Sequence, residues 1–258
     1  NESEKTRLTM RESEYSQDRH PHLSSVVVRF SPDAIITTPQ QVCRYAGGIG
    51  YKMNRDTIDL VLRTLERARQ LIAPALVYAL HPVSEVLADG TLFLKNRVSL
   101  VLPPHERDFH TRHVAAVVCT LGKELEITGR HLAELGEFLE SLFLDAAGVA
   151  LIEALAQKAY ELILHKAKKE KLYMGCRFAP GYTGMPLSNQ SLLFDLVDGA
   201  AIGVNLNKRW VMTPNKSLSF FLRLTTQTTR LRDVYKCEIC PVSDCRFRMS
   251  REPAALPK

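Results

Sequence analysis

The segment Arg177-Phe178-Ala179-Pro180-Gly181-Tyr182, followed by Pro186, concentrates groups suited to holding a small charged ligand. An arginine leaving a strand beside a rigid turn offers a fixed, planar fork of donors matched to a carboxylate. Gly181 permits backbone angles, or a close ligand approach, that a Cβ would forbid. Pro180 and Pro186 stiffen the two sides. Tyr182 adds one hydroxyl and an aromatic face that suits a cationic group. An ordinary strand-to-helix turn with an exposed arginine uses the same residue types, so the segment by itself indicates a ligand class and no more.

A second constellation is Cys237-x-x-Cys240-x-x-x-x-Cys245, with Arg246 and Arg248 beside it. Three soft thiolates this close suit an iron–sulfur cluster or zinc. Cys176, adjacent to Arg177, or a residue such as Asp244 would be the fourth ligand. A flexible tail with free thiols is the plainer account. His105, His110 and His113 share a polar segment with Asp108 but lack the helical His-Glu-x-x-His setting of a zinc enzyme, and a surface helix is expected there. Gly47-Gly48-Ile49-Gly50 has no strand before it and no helix opening after it, which argues against a phosphate cradle. Cys119 lies in an apolar run and reads as a small hydrophobe.

These residues need elements to position them. Thr38-Pro39 caps and starts a short helix over 40–45, stopped by Gly47-Gly48. Ile58, Val61, Leu62, Leu65 and Ile72 keep a helical period over 56–72, and Pro74 ends it. Strands are expected at 26–30, 76–80, 85–87 and 91–94, the last after an Asp89-Gly90 hairpin turn. Residues 114–120 form an unalternating apolar run, as in a strand buried on both faces. From 124 to 169 the pattern is helical, as two helices meeting near Gly129 or Gly136, and 142–165 is apolar on most sides and so central. A strand at 173–178, a Gly/Pro loop at 179–186 and a short helix at 188–196 carry the first constellation. Short strands follow at 202–206, 211–212 and 218–225. Strands and helices do not alternate regularly, which favours an α+β fold.

The chain has 258 residues, 45% apolar and 24% charged, enough for a core of one domain or two small ones. Its net charge of +6 is modest, and the densest basic block, 165–171, closes a helix where cations complement the dipole. No aromatics interleave with those lysines, so no nucleic-acid partner is expected. Asp145 and Glu153 interrupt the longest apolar run, so no membrane span is expected. Residues 1–24 are polar and of mixed charge, unlike a signal peptide, and are expected to form a flexible lead segment. The clustered cysteines point to thiols kept in a reducing, cytoplasmic setting. The expected organisation is a flexible segment over 1–24, an α+β domain over 25–228 and a Cys-rich tail over 229–258.

The motifs run in series. Arg177-x-Ala-Pro-Gly-Tyr is followed by Pro186-Leu187-x-x-Gln190-x-x-Leu193-Phe194-x-Leu196, by Ile202-Gly203-Val204-x-Leu206, and by Met212-x-Pro214-x-Lys216-Ser217-x-Ser219. Upstream come Val42-Cys43-Arg44-Tyr45-Ala46-Gly47, Thr120-Leu121-Gly122 and Leu144-Asp145-Ala146-Ala147-Gly148. Over about 41–226 this order resembles the activation (reactivation) domain of cobalamin-dependent methionine synthase, and more closely its stand-alone relatives. The resemblance implies a twisted antiparallel sheet flanked by helices. It implies binding of S-adenosylmethionine, with Arg177 on the methionyl carboxylate, Ala179 and Gly181 giving backbone contacts, and Tyr182 walling the ligand. It implies presentation of the sulfonium methyl to a corrinoid whose cobalt has been oxidised to Co(II), after a one-electron reduction to nucleophilic Co(I). No Asp-x-His-x-x-Gly corrinoid signature occurs, so the corrinoid would sit on a partner methyltransferase, with an electron donor supplying the reduction. Relatives carry Leu-Thr-Glu where this chain has Leu206-Asn207-Lys208, and a glycine where it has Phe220, which could fill ligand space. The competing reading keeps the scaffold but uses the cysteine tail, as a non-catalytic metal-cluster protein in electron transfer or assembly.

Overall fold

The computed structural model describes residues 25–48, 51–96, 98–102, 109–182 and 184–227. At its centre is a seven-stranded antiparallel sheet in the order β4-β3-β2-β5-β9-β6, with β1 also paired to β2. The strands are β1 (Val26–Arg29), β2 (Ala75–Val86), β3 (Thr91–Leu94), β4 (Ser99–Val101), β5 (Thr111–Thr120), β6 (Tyr173–Phe178) and β9 (Ser217–Thr225). A separate two-stranded hairpin joins β7 (Asn205–Leu206) to β8 (Met212–Thr213).

Period-two side-chain alternation sorts the strands into two cores. Leu76, Tyr78, Ala115, Val117, Cys119, Phe220 and Leu222 face four helices: α1 (Pro39–Gly47), α2 (Arg55–Leu71), α3 (Glu124–Glu134) and α4 (Phe138–Lys169). Val77, Ala79, Val114, Ala116, Val118 and Phe221 face the other way, onto α5 (Asn189–Leu196) and residues of β3 and β4. The apolar run over 114–120 is thus buried on both faces, as expected, although its sheet is antiparallel.

Helix ends follow local chemistry. Thr38 and Gln41 form a reciprocal capping box at α1, the Gln41 amide donating to Thr38 Oγ1 at 3.3 Å and the Thr38 amide to Gln41 Oε1 at 3.2 Å. The long helical stretch breaks at Gly136, not Gly129. With φ of +83° there, the Glu137 amide donates to Leu132 O at 2.9 Å and the Gly136 amide to Ala133 O at 3.1 Å, a Schellman closure. Helix α4 packs against α1, α2, α3, β5, β6 and β9, so it is the central column of the fold. Near its C-terminus the exposed Lys166 places Nζ 5.6 Å from the centroid of the buried Tyr78 ring.

Three local expectations change. The strands expected at 76–80 and 85–87 are one strand, because Pro82 falls where β2 passes from pairing with β1 to pairing with β3, and there a missing N–H costs little. His113 lies in β5 opposite Pro82 and Leu224, not on a surface helix. The strand expected over 202–206 is a 3-10 turn over Gly199–Ile202 followed by β7, with Gly203 in the left-handed region at φ +76°.

Candidate ligand site at the end of strand β6

A bulge decides where Arg177 points. Met174 pairs with Leu224 and Arg177 with Leu222, so three steps along β6 match two along β9. In a regular strand an odd separation would put the two side chains on opposite faces. The extra residue returns Arg177 to the face shared by Met174 and α4. Gly175 belongs to this bulge, and a Cβ there would lie 3.1 Å from Nη2 of the fully buried Arg223.

On that face Arg177 Nη2 donates to Glu153 Oε2 of α4 at 3.0 Å, with the arginine side chain 28% exposed and the glutamate 17%. Arg177 Cζ also lies over the Phe220 ring, 5.3 Å from its centroid. Phe220 is the diagonal neighbour of Arg177 across the β6–β9 pair, and such neighbours lie within reach of a long side chain. The guanidinium is therefore held at one edge by a carboxylate and below by an aromatic face that is 1% exposed. Cys119, two strands over, feels the same pair. Its thiol pKa is pushed up, by burial first, with Arg177 opposing and Glu153 adding.

The loop after β6 folds on itself. The Gly181 amide donates to Met185 O at 3.0 Å, the Tyr182 amide to Ala179 O at 3.1 Å, and the Met185 amide to Tyr182 O at 3.0 Å. Gly181 has φ of +87°, and that angle, more than lack of space, calls for glycine. Two amides near the expected ligand contacts are thus spent on the loop. Ala179 is buried, while Tyr182 is 63% exposed. The Tyr182 phenol pKa is raised, by desolvation first and then by the Glu153 carboxylate, with Arg177 working the other way. The sequence of the loop brings Arg177, Glu153 and Tyr182 into one electrostatic neighbourhood.

The proline-lysine-serine segment opens β9 beside this site. Lys216 Nζ donates to Asp145 Oδ1 of α4 at 2.6 Å, and Gly148 leaves room for the lysine stem. Facing the other core, Ser217 Oγ donates to Thr120 Oγ1 at 2.9 Å and Ser219 Oγ to the buried Gln190 Oε1 at 2.9 Å. The last bond ties β9 to α5. Lys208 is exposed in the β7–β8 turn, where Asn207 Oδ1 accepts from the Arg209 amide at 2.8 Å and the Val211 amide at 3.1 Å. A cleft of about 250 Å³ between α2, α3 and α4, lined by residues such as Leu60, Arg63, Arg67 and Leu132, shares no residue with the β6 loop.

Residue reasoning from sequence missed Glu153 as a site residue. The available signal was an acid interrupting an apolar helix, together with Asp145; both reach back to cations of the sheet. Cys237, Cys240 and Cys245 lie outside the described residues, as does the side chain of Cys176. Among the described residues no cluster of three or more His, Cys, Asp or Glu is placed to hold a metal. Among them, too, no helix is long and apolar enough to cross a membrane.

The antiparallel α+β architecture and the order of these site segments define an activation-domain-like protein. The family profile described as "Vitamin B12 dependent methionine synthase, activation domain" matches residues 106–239, more than half of the chain, and the chain belongs to that family. A solved structure, titled as the MetH reactivation domain bound to AdoHcy, shares its fold with a TM-score of 0.59 over 83% of this chain and 82% of that one. The two are 15% identical, so the likeness is one of fold. No curated protein matches the chain.

Proposed function

We propose that the chain binds S-adenosylmethionine at the Arg177–Tyr182 loop and supports the reductive methylation, and so the reactivation, of a corrinoid carried by a partner methyltransferase. The observation that carries this reading is the Arg177–Glu153 pair at 3.0 Å, held at the sheet edge and only partly covered. The amino-acid end of the ligand is a zwitterion beside a cationic sulfonium. A cation and an anion fixed side by side match it, since Arg177 suits the carboxylate and Glu153 suits the ammonium or sulfonium. Ala179 and Gly181 would contribute backbone contacts through groups other than the Gly181 amide, which the loop already uses, and the exposed Tyr182 ring would wall one side. The ligand-bound fold relative and the family membership support the same reading.

The chemistry asked of this chain is positioning. A corrinoid on the partner would supply the nucleophile for the methyl group, with S-adenosylhomocysteine as the leaving group. No proton is transferred in such a displacement, so no general acid or base is needed. What the protein contributes is a held sulfonium and a fixed approach direction, which can supply a large share of the acceleration. The electron would come from a separate donor. The thiol-rich tail of Cys237, Cys240 and Cys245, with Cys176 as a further ligand, fits an iron–sulfur cluster or zinc near that step, and its support is the spacing alone.

Calorimetric titration of S-adenosylmethionine and S-adenosylhomocysteine tests the reading. Wild type should bind both and Arg177→Ala neither. Absence of heat with folded wild type would overturn it in favour of a scaffold that works through its cysteine tail.

A further inference from the structure

Resting on that reading, we infer that Phe220 is a positioning residue for the ligand's carboxylate, acting through Arg177. The guanidinium has five N–H donors lying in one plane, so what it can bind depends on how that plane is held. Glu153 accepts from one edge at 3.0 Å, and a pivot about that edge is the motion that a contact on the flat face of the group would restrain. The Phe220 face, 5.3 Å from Arg177 Cζ, restrains the pivot, because the ring quadrupole attracts the cation toward its face. The ring is itself immobile. It lies in the middle of β9, opposite Val117 of β5, and is 1% exposed. The bulge in β6 makes the contact possible, since without it Arg177 would face the opposite core.

The placement also accounts for a phenylalanine at this position. It forms the floor on which the arginine rests. An aliphatic side chain of similar size would fill the same volume and lose the attraction.

The test replaces Phe220 by 4-fluoro-, 3,5-difluoro- and 3,4,5-trifluorophenylalanine, a series that keeps the ring's shape and progressively weakens its negative face. Thermal unfolding reads the ring–guanidinium contact without any ligand, and titration with S-adenosylhomocysteine reads its effect on binding. The expected result is a stepwise loss of affinity with each added fluorine. Phe220→Leu should lose about three- to thirty-fold relative to wild type. Arg177→Lys in the fluorinated background should show a flattened series, because the fork is gone.

Affinity that stays flat across the fluorinated series would overturn the inference, whether or not the melting temperature changes. Failure of wild type to bind either S-adenosyl compound would instead overturn the proposed function. The melting series would then still report whether the ring holds Arg177, and the positioning role would fall with the ligand.

Discussion

Lys216 Nζ lies 2.6 Å from Asp145 Oδ1, and the lysine stem reaches that carboxylate by crossing α4 at Gly148. An ideal Cβ on Gly148 would stand 2.9 Å from Lys216 Cε and 2.9 Å from Leu125 Cδ2. The glycine therefore lets β9 and α3 close on α4 together. With the Arg177–Glu153 pair, the Lys216–Asp145 contact makes two charged ties between the sheet side and α4, eight residues apart along the helix.

Gly148→Ala should lower stability by about 1–3 kcal/mol, the usual cost of overpacking, read from urea unfolding. Adding Lys216→Ala removes one of the two crowding side chains and should restore part of the loss. A double variant no more stable than the single one would show that Leu125, not the lysine, sets the limit.

Removing the acid at the other tie has a smaller effect. Glu153→Gln should cost about 1 kcal/mol, since both partners retain some solvent contact and screening reduces the pair's worth. In a double-mutant cycle with Arg177→Met the coupling should be about 0.5–1.5 kcal/mol. Zero coupling would mean that the two groups are neighbours without being energetically linked.

His81 makes stability depend on pH. Its Nε2 lies 2.7 Å from Leu196 O in the buried interior, and its pKa is lowered, by desolvation first, with the carbonyl contact opposing. A histidine depressed in the fold binds its proton more tightly in the unfolded chain. Stability is then intact above the ordinary value of about 6.5 and falls as pH drops below it, by at most ~1.4 kcal/mol per unit, levelling off under the native value. Urea midpoints from pH 7.5 down to 5 should show a steeper fall in wild type than in His81→Gln. Parallel curves would rule His81 out as the source.

Thiol chemistry separates core from tail. Cys43 and Cys119 are buried, and burial raises the pKa of both thiols. Neither should react with a disulfide reagent until the protein unfolds. Anaerobic purification followed by iron and zinc assay tests the cluster on Cys237, Cys240 and Cys245 directly. A colourless protein free of both metals would remove that part of the proposal, and the Cys237→Ser variant should lose any metal that is found.

Much of the architecture was legible because it rests on short-range rules. Thr38 and Pro39 announce the start of α1, Gly129 and Gly136 a break between α3 and α4 that the structure places at Gly136, and the unalternating run over 114–120 a strand covered on both faces. The Arg177-to-Tyr182 loop was visible from its glycine and prolines. The contacts of Arg177 were not. Glu153 and Arg177 are separated by 24 positions and Phe220 lies further still, so nothing local in the sequence pairs them.

By itself, then, the amino-acid order determined most of the elements, the family and the residue types able to meet a zwitterion, because caps, turns and periodicity act within a few residues. Tertiary structure decided which of those residues meet. The extra residue in β6 reversed the parity of the strand and turned Arg177 toward α4, where a carboxylate and an aromatic face hold it. Side-chain direction in a sheet follows register, and register is settled only when the strands pair.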